Sequence, residues 1–87
     1  MRKIKWTQAF RRDFKKNIML DKDFVEVLWK LAKDEALSER FHDHQLSGNL
    51  KDCRDCHIQP DLLLIYRKAD SSTLELVRLA SHAELNF

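Results

Sequence analysis

One glycine (Gly48) and one proline (Pro60) stand among the 87 residues. That scarcity excludes a glycine-rich phosphate-binding loop and a proline-rich linker between domains. No run approaches the ~18 apolar residues of a membrane span. The basic start, Met1-Arg-Lys-Ile-Lys-Trp6, is not followed by the apolar stretch of a secretory signal. The expected location is therefore cytoplasmic, with the only two cysteines, Cys53 and Cys56, reduced. There is no serine-centred nucleophile elbow, no metal-binding helix motif, no internal repeat and no low-complexity segment.

What remains is a chain that is 44% hydrophobic and 34% charged, suited to one globular domain over residues 1–87 with a single modest core. Its net charge of +2 hides a segregation. Residues 1–20 hold Arg2, Lys3, Lys5, Arg11, Arg12, Lys15 and Lys16 against Asp13 alone, whereas the remainder is acidic on balance. Such a basic segment is either a solvated helix face or a surface for nucleic-acid phosphate.

The pattern along the chain predicts an α+β fold. Lys3 to Trp6 alternates as a short strand, and Thr7 is placed to cap a helix bearing Phe10, Phe14 and Ile18 on one face. Arg11, Arg12 and Lys15 fall off that stripe. A second helix, capped by Asp21 or Asp23, carries Phe24, Val27, Leu28 and Leu31, with Val25 and Trp29 widening its apolar face. After a loop from Ser38 to Asn49, strands are predicted over 50–58, 62–67 and 74–79, broken by Pro60 and by a turn over 69–72. Short links make these three strands antiparallel. Alternation in the last one groups Leu74, Leu76 and Arg78 on one face.

The chemistry gathers in residues 41–66, which contain His42, His44, His57, both cysteines, the glycine and the proline. Cys53-Arg-Asp-Cys-His57 has the C-x-x-C-H spacing of covalent haem attachment. On a strand, however, residues 53 and 56 point to opposite faces, so they cannot share a haem, a disulfide or a zinc ion. Cys56 is expected in the core. The same alternation sets Asp55 beside His57, close enough for a hydrogen bond that fixes the imidazole. In the simplest topology His44, His57, Asp61, Arg78 and His82 converge on one sheet surface. Imidazoles, carboxylates and one guanidinium are the parts needed to cleave RNA without a metal: a base for the ribose 2′-OH, an acid for the leaving 5′-oxygen and a cation for the phosphorane.

Three stretches, His44-Gln-Leu-Ser-Gly48, Cys53-Arg-Asp-Cys-His-Ile-Gln-Pro-Asp-Leu-Leu-Leu-Ile-Tyr66 and Val77-Arg-Leu-Ala-Ser-His82, resemble the YafQ branch of the RelE/ParE toxin superfamily. The resemblance implies two N-terminal helices packed on a twisted antiparallel sheet in the order β-α-α-β-β-β. It implies a type II toxin, an mRNA endoribonuclease acting on translating ribosomes and restrained by a cognate DinJ/RelB-like antitoxin, with no cofactor and no metal. The superfamily also contains ParE-like toxins that bind a protein target without cleaving RNA, the alternative function. Carried over by position, the catalytic set is His44, His57, Asp61, Arg78 and His82, supported by Asp55. Asp61 and His82 are the foremost acid/base candidates, with His44 and His57 orienting or assisting, and Arg78 would hold the scissile phosphate bidentately. RNA or ribosome contact falls to Arg11, Arg12, Lys15, Leu62 and Phe87. Leu62 replaces a tryptophan common in the family. Phe87 lies one residue beyond the usual C-terminal phenylalanine, where this chain has Asn86.

Overall fold

The computed structural model describes residues 1–17 and 22–87. The chain runs β1 (Lys3–Trp6), α1 (Gln8–Lys16), α2 (Lys22–Ala32), β2 (His44–Gln45), β3 (Arg54–Gln59), β4 (Leu62–Asp70), β5 (Thr73–Ala80) and α3 (His82–Leu85). Single 3-10 turns occupy Glu39–Phe41 and Gly48–Leu50. The five strands form one sheet in the order β1-β5-β4-β3-β2.

Strands β2 to β5 pair antiparallel, as their short connections require, but β1 runs parallel to β5. The sheet is thus mixed where an antiparallel one was expected. Almost the whole chain separates β1 from β5, so no hairpin constrains their relative direction. The predicted strand over 50–58 begins only at Arg54. Before it, Lys51 N–H bonds Gly48 C=O and Cys53 N–H bonds Leu50 C=O, closing a 3-10 turn in place of ladder bonds. The loop predicted over 38–49 also contains a strand, β2, which pairs with β3.

Helix α1 forms as its sequence predicts. Thr7 Oγ1 accepts from Phe10 N–H at 2.9 Å and donates to Val77 C=O at 2.7 Å, capping the helix and fastening it to β5 together. Phe10 is fully buried and stacks on Phe14 at 5.9 Å, with Trp6 edge-on to both. Ile18 of the predicted stripe and the candidate cap Asp21 lie outside the described residues. In α2, Phe24, Val27 and Leu31 enter the core with Leu28 packed against it, but Val25 and Trp29 are more than half exposed. They sit one residue round the helix from the buried stripe, beside exposed Ile4 and Met1, so the core face is narrower than expected.

The core lies between the helices and one sheet face and includes Cys56, Ile58, Leu64, Tyr66, Leu74, Leu76 and Leu79. Cys56 packs there as expected, its thiol pushed up by burial. Cys53 is buried as well, outside that cluster, and both cysteines are free. Leu62 also belongs to this core, only 8% exposed. Expected as an RNA contact, it has no face to offer a base.

A bulge in β5 decides the position of the arginine. Ile65 pairs with Arg78 but Tyr66 pairs with Leu76, leaving Val77 extra. The bulge shifts the side-chain phase, so Leu79 joins Leu74 and Leu76 in the core and Arg78 turns to the opposite face. Pairing then places Arg78 in the row of Ile65 and Asp55. Simple alternation put Arg78 with Leu74 and Leu76, and the bulge corrects that assignment.

Candidate active site

Two local devices bring the titratable groups together. The β3–β4 hairpin turns on Pro60-Asp61, so Asp61 projects at the sheet end where β5 finishes and α3 begins. There Ser81 and Glu84 make a reciprocal capping box, with Ser81 N–H to Glu84 Oε1 at 3.0 Å and Glu84 N–H to Ser81 Oγ at 3.2 Å. The S-x-x-E spacing that signals this box was present in the sequence, in a segment otherwise treated as a tail. The box fixes His82 in the first turn of α3. Its N–H donates to Asp61 Oδ1 at 3.0 Å, and its Nδ1 meets the same oxygen at 2.6 Å. These two bonds, the backbone one foremost, hold the Asp61 carboxyl below the usual carboxylate range. Asp61 is therefore an acceptor at neutral pH, and the His82 ring presents Nε2 for chemistry.

His44 lies on β2 directly opposite Asp55 on β3. Its Nδ1 is 2.8 Å from His42 C=O and 3.1 Å from Asp55 Oδ1. A carbonyl can only accept, so Nδ1 carries hydrogen and Nε2 is left available here also. The expected hydrogen bond between Asp55 and His57 is not formed among the described contacts; the imidazole nearest Asp55 is that of His44. Asp55 is only 2% exposed, and its Oδ1 has no hydrogen-bond partner because the His44 hydrogen is directed at His42. Burial raises the Asp55 carboxyl, opposed by the neighbouring histidines. His57 stands between the other imidazoles, 5.4 Å from His82 and 5.2 Å from His42 by ring centroids. Burial, the first cause, and the adjacent histidines lower its pKa, with Asp55 opposing, which favours the neutral ring.

A cleft of about 370 Å³ joins these parts, lined by His44, Leu46, Asp55, His57, His82 and Phe87 among others. Phe87 is half exposed and is held by its N–H to His82 C=O at 3.0 Å. Arg78 shares the sheet face but is engaged elsewhere. Its Nε and Nη2 grip Asp13 of α1 at 2.6 and 3.2 Å, while Asp13 also accepts Leu79 N–H at 2.9 Å. The bidentate partner of Arg78 is thus a carboxylate of α1, where a phosphate was expected. The sequence reading missed Asp13, the one acid in a basic segment. It also missed Asp43, which accepts from Tyr66 Oη at 2.6 Å and Arg54 Nε at 3.2 Å and so ties the His42–His44 segment to the sheet. Arg11, Arg12 and Lys15 are exposed along a separate groove with Trp6 and Phe14.

The orphaned Asp55 oxygen yields a stability prediction. A carboxyl whose folded pKa lies above its ordinary value of 3.8 stabilises the fold only below that pH, and the contribution is lost as pH rises. Asp55→Asn is therefore expected to stabilise the protein at pH 7 by about 1–3 kcal/mol, with the gain shrinking as pH falls towards 4. Thermal unfolding at the two pH values checks this. A variant less stable at pH 7 would show Asp55 to be satisfied in solution.

The fold, two helices and a short third one on a five-stranded mixed sheet, is that of a toxin domain of type II toxin-antitoxin systems. The chain belongs to the YafQ family: the family of bacterial toxins of type II toxin-antitoxin systems, YafQ, matches residues 2–86. It is 30% identical over 88 residues to the mRNA interferase toxin YafQ of Escherichia coli strain B, covering 97% of this chain and 95% of that one. A copper-bound point mutant of a toxin from Helicobacter pylori superposes with a TM-score of 0.92 at 41% identity, covering 98% and 99% of the two chains. The E. coli DinJ-YafQ complex gives a TM-score of 0.81 at 27% identity, covering 98% of each chain. Among the described residues no helix is long and apolar enough to cross a membrane.

Proposed function

We propose that this toxin is an mRNA endoribonuclease that cleaves transcripts on translating ribosomes and is restrained by an acidic antitoxin of the DinJ/RelB type. The observation that carries the reading is the pair of imidazoles, His44 and His82, each tied at Nδ1 and lining one cleft with His57. The names of the similar E. coli proteins support it, one an mRNA interferase and another bound to DinJ.

In the proposed reaction neutral His57 takes the proton of the ribose 2′-OH, the oxygen attacks the adjacent phosphorus, and the bond to the 5′-oxygen breaks. His82, oriented by Asp61, gives that oxygen a proton, leaving a 2′,3′-cyclic phosphate and a 5′-OH. Asp61 is thus an orienting group for the acid. His44 lines the same cleft and is positioned by His42, so that its ring, when protonated at Nε2, donates to the phosphorane. With Nε–H and one Nη2 hydrogen on Asp13, Arg78 keeps the two Nη1 hydrogens and the second Nη2 hydrogen for phosphate. Phe87 offers its exposed ring to a base. Imidazoles are good ligands for copper, the ion bound to the similar H. pylori toxin. Among the described residues, though, no three His, Cys, Asp or Glu side chains are placed to hold an ion.

Because the His57 pKa is lowered, its neutral form persists below pH 6.5. Cleavage is expected to rise with pH along an acid limb centred below that value and to level off above it. A single-turnover pH profile checks this, and a limb centred above 7 would assign the base elsewhere.

The basic face of α1 is assigned to ribosomal RNA, attracted through its phosphates. Reversing Arg11, Arg12 and Lys15 to glutamate is expected to lower cleavage on ribosomes roughly tenfold or more, with unfolding nearly unchanged. Unchanged cleavage would return these residues to an ordinary solvated face. The function itself is tested in a cell-free translation system. Wild-type toxin is expected to cut the message, and added antitoxin to stop it. A folded wild type that leaves mRNA intact would move the function to inhibition of a protein target.

A further inference from the structure

His57 is the shared wall of two clefts. On the side away from His44 and His82, a second cleft of about 440 Å³ is bounded by Asp23 of α2, the Arg40-Phe41-His42 segment and the start of the β3–β4 turn at Ile58–Pro60. Its volume is in the range of small-molecule sites. Of that outer wall, the proposed cleavage chemistry engages only the backbone carbonyl of His42.

Three features indicate what this second cleft takes. First, His42 is a non-glycine residue in the left-handed region, with φ of 49°. Such a conformation persists only where surrounding structure over-determines it. Here the surroundings do so: His42 N–H bonds Glu39 C=O at 3.0 Å, His42 C=O receives His44 Nδ1, and Asp43 is fastened by Tyr66 and Arg54. The exposed His42 ring is thereby held against His57 as a fixed planar surface.

Second, the guanidinium that lines the cleft is already paired. Arg40 Nη2 is neutralised by Asp23 at 3.0 Å and Glu26 at 3.5 Å. Such a wall is no seat for a phosphate, yet it offers donors and acceptors to the edge of an uncharged ring. Third, a polynucleotide cut at a phosphate beside His57 must continue past that residue. The nucleotide on one side of the bond occupies the His44 and His82 cleft. Its neighbour then enters the cleft on the other side.

We propose that the cleft between His42 and Asp23 is a nucleobase subsite for the nucleotide adjacent to the scissile phosphate. His42 stacks on the base, and the Asp23–Arg40 pair meets its polar edge. This deepens the endoribonuclease reading and rests on it. Because Leu62 is buried where a tryptophan is common in the family, His42 is the exposed stacking ring on this side of His57. Sequence preference at that nucleotide is therefore set by the Arg40–His42 segment.

The test uses His42→Asn, since asparagine tolerates the left-handed backbone and removes only the ring. Position-resolved cleavage of mRNA on ribosomes is expected to show KM raised roughly five- to hundredfold and preference flattened at one nucleotide flanking the cut. Cleavage by His42→Asn with wild-type KM and wild-type preference would overturn the subsite and leave the nuclease intact. A parallel NMR titration of purified wild-type protein uses a dinucleotide lacking the attacking 2′-OH. Shifts are expected at the His42 and Arg40 side chains together with His82. Shifts confined to the His44 and His82 cleft, or none, would overturn the subsite. Wild-type protein that leaves mRNA intact removes the nuclease reading, and the titration then decides the cleft independently.

Discussion

Replacing His82 by alanine is expected to lower mRNA cleavage by about 10²–10⁴-fold, the usual contribution of one positioned acid or base. Stability should change by less than about 1 kcal/mol, since the ring is partly exposed and its polar partner Asp61 is open to water. The contrast between the two readouts matters. The α3 turn is held by the Ser81–Glu84 box and by Glu84 to Lys16 at 2.6 Å, none of which involves the imidazole. His57→Ala is expected to lose activity to a similar extent and also the acid limb of the pH profile. Single-turnover cleavage and thermal unfolding, measured on the same preparations, check both variants. An active His82→Ala protein would leave the leaving group without its donor and would break the assignment.

The largest stability effect away from the apolar core is expected at Asp13. Strand β1 ends at Trp6 while β5 continues to Ala80, so the edge of β5 beyond the last paired residue needs other partners. Side chains from α1 and its flanks supply them. Thr7 Oγ1 donates to Val77 C=O, Asn17 Nδ2 to Leu79 C=O at 3.3 Å, and Asp13 accepts Leu79 N–H. Asp13→Ala strands that buried N–H and removes both bonds to Arg78. The expected cost is about 2–4 kcal/mol, placed below the full figure for a buried pair because Arg78 is about one-third exposed. Urea unfolding checks it. Wild-type stability in Asp13→Ala would show that the helix is docked by its aromatics alone.

These two residues also mark how far the sequence could be read. The order of the main elements followed from residue types, spacing and family resemblance, and so did the choice of His82, His57 and Asp61 as candidates. Thr7 capped its helix as predicted, and Phe10 and Cys56 are fully buried. The misreadings arose where period-2 alternation was carried through an irregularity. A bulge at Val77 put Arg78 on the site face, and a 3-10 turn over 48–50 displaced the start of β3. Neither has a local signature, because a bulge is fixed by the partner strand. Asp13 read as one acid among many basic residues, and only tertiary contact with β5 gives it a purpose. His44 was assigned its site but paired through Asp55 across a two-residue strand too short to announce itself. Leu62 shows the limit of transferring a position from a family: the side chain there is turned into the core, and size and chemistry differ from tryptophan. Val25 and Trp29 were read as core, yet the buried stripe of α2 is narrower than its apolar content suggests.

The central claim is that imidazoles and the substrate's own 2′-OH carry out cleavage. It is tested most directly by the chemistry of the ends. mRNA cut by wild-type toxin in a translating extract, with its fragments analysed by mass spectrometry, should carry a 2′,3′-cyclic phosphate or its 3′-phosphate on the upstream piece and a 5′-OH on the downstream one. Upstream fragments ending in 3′-OH, with a 5′-phosphate downstream, would mean that water and not the ribose attacked phosphorus, and would contradict the account.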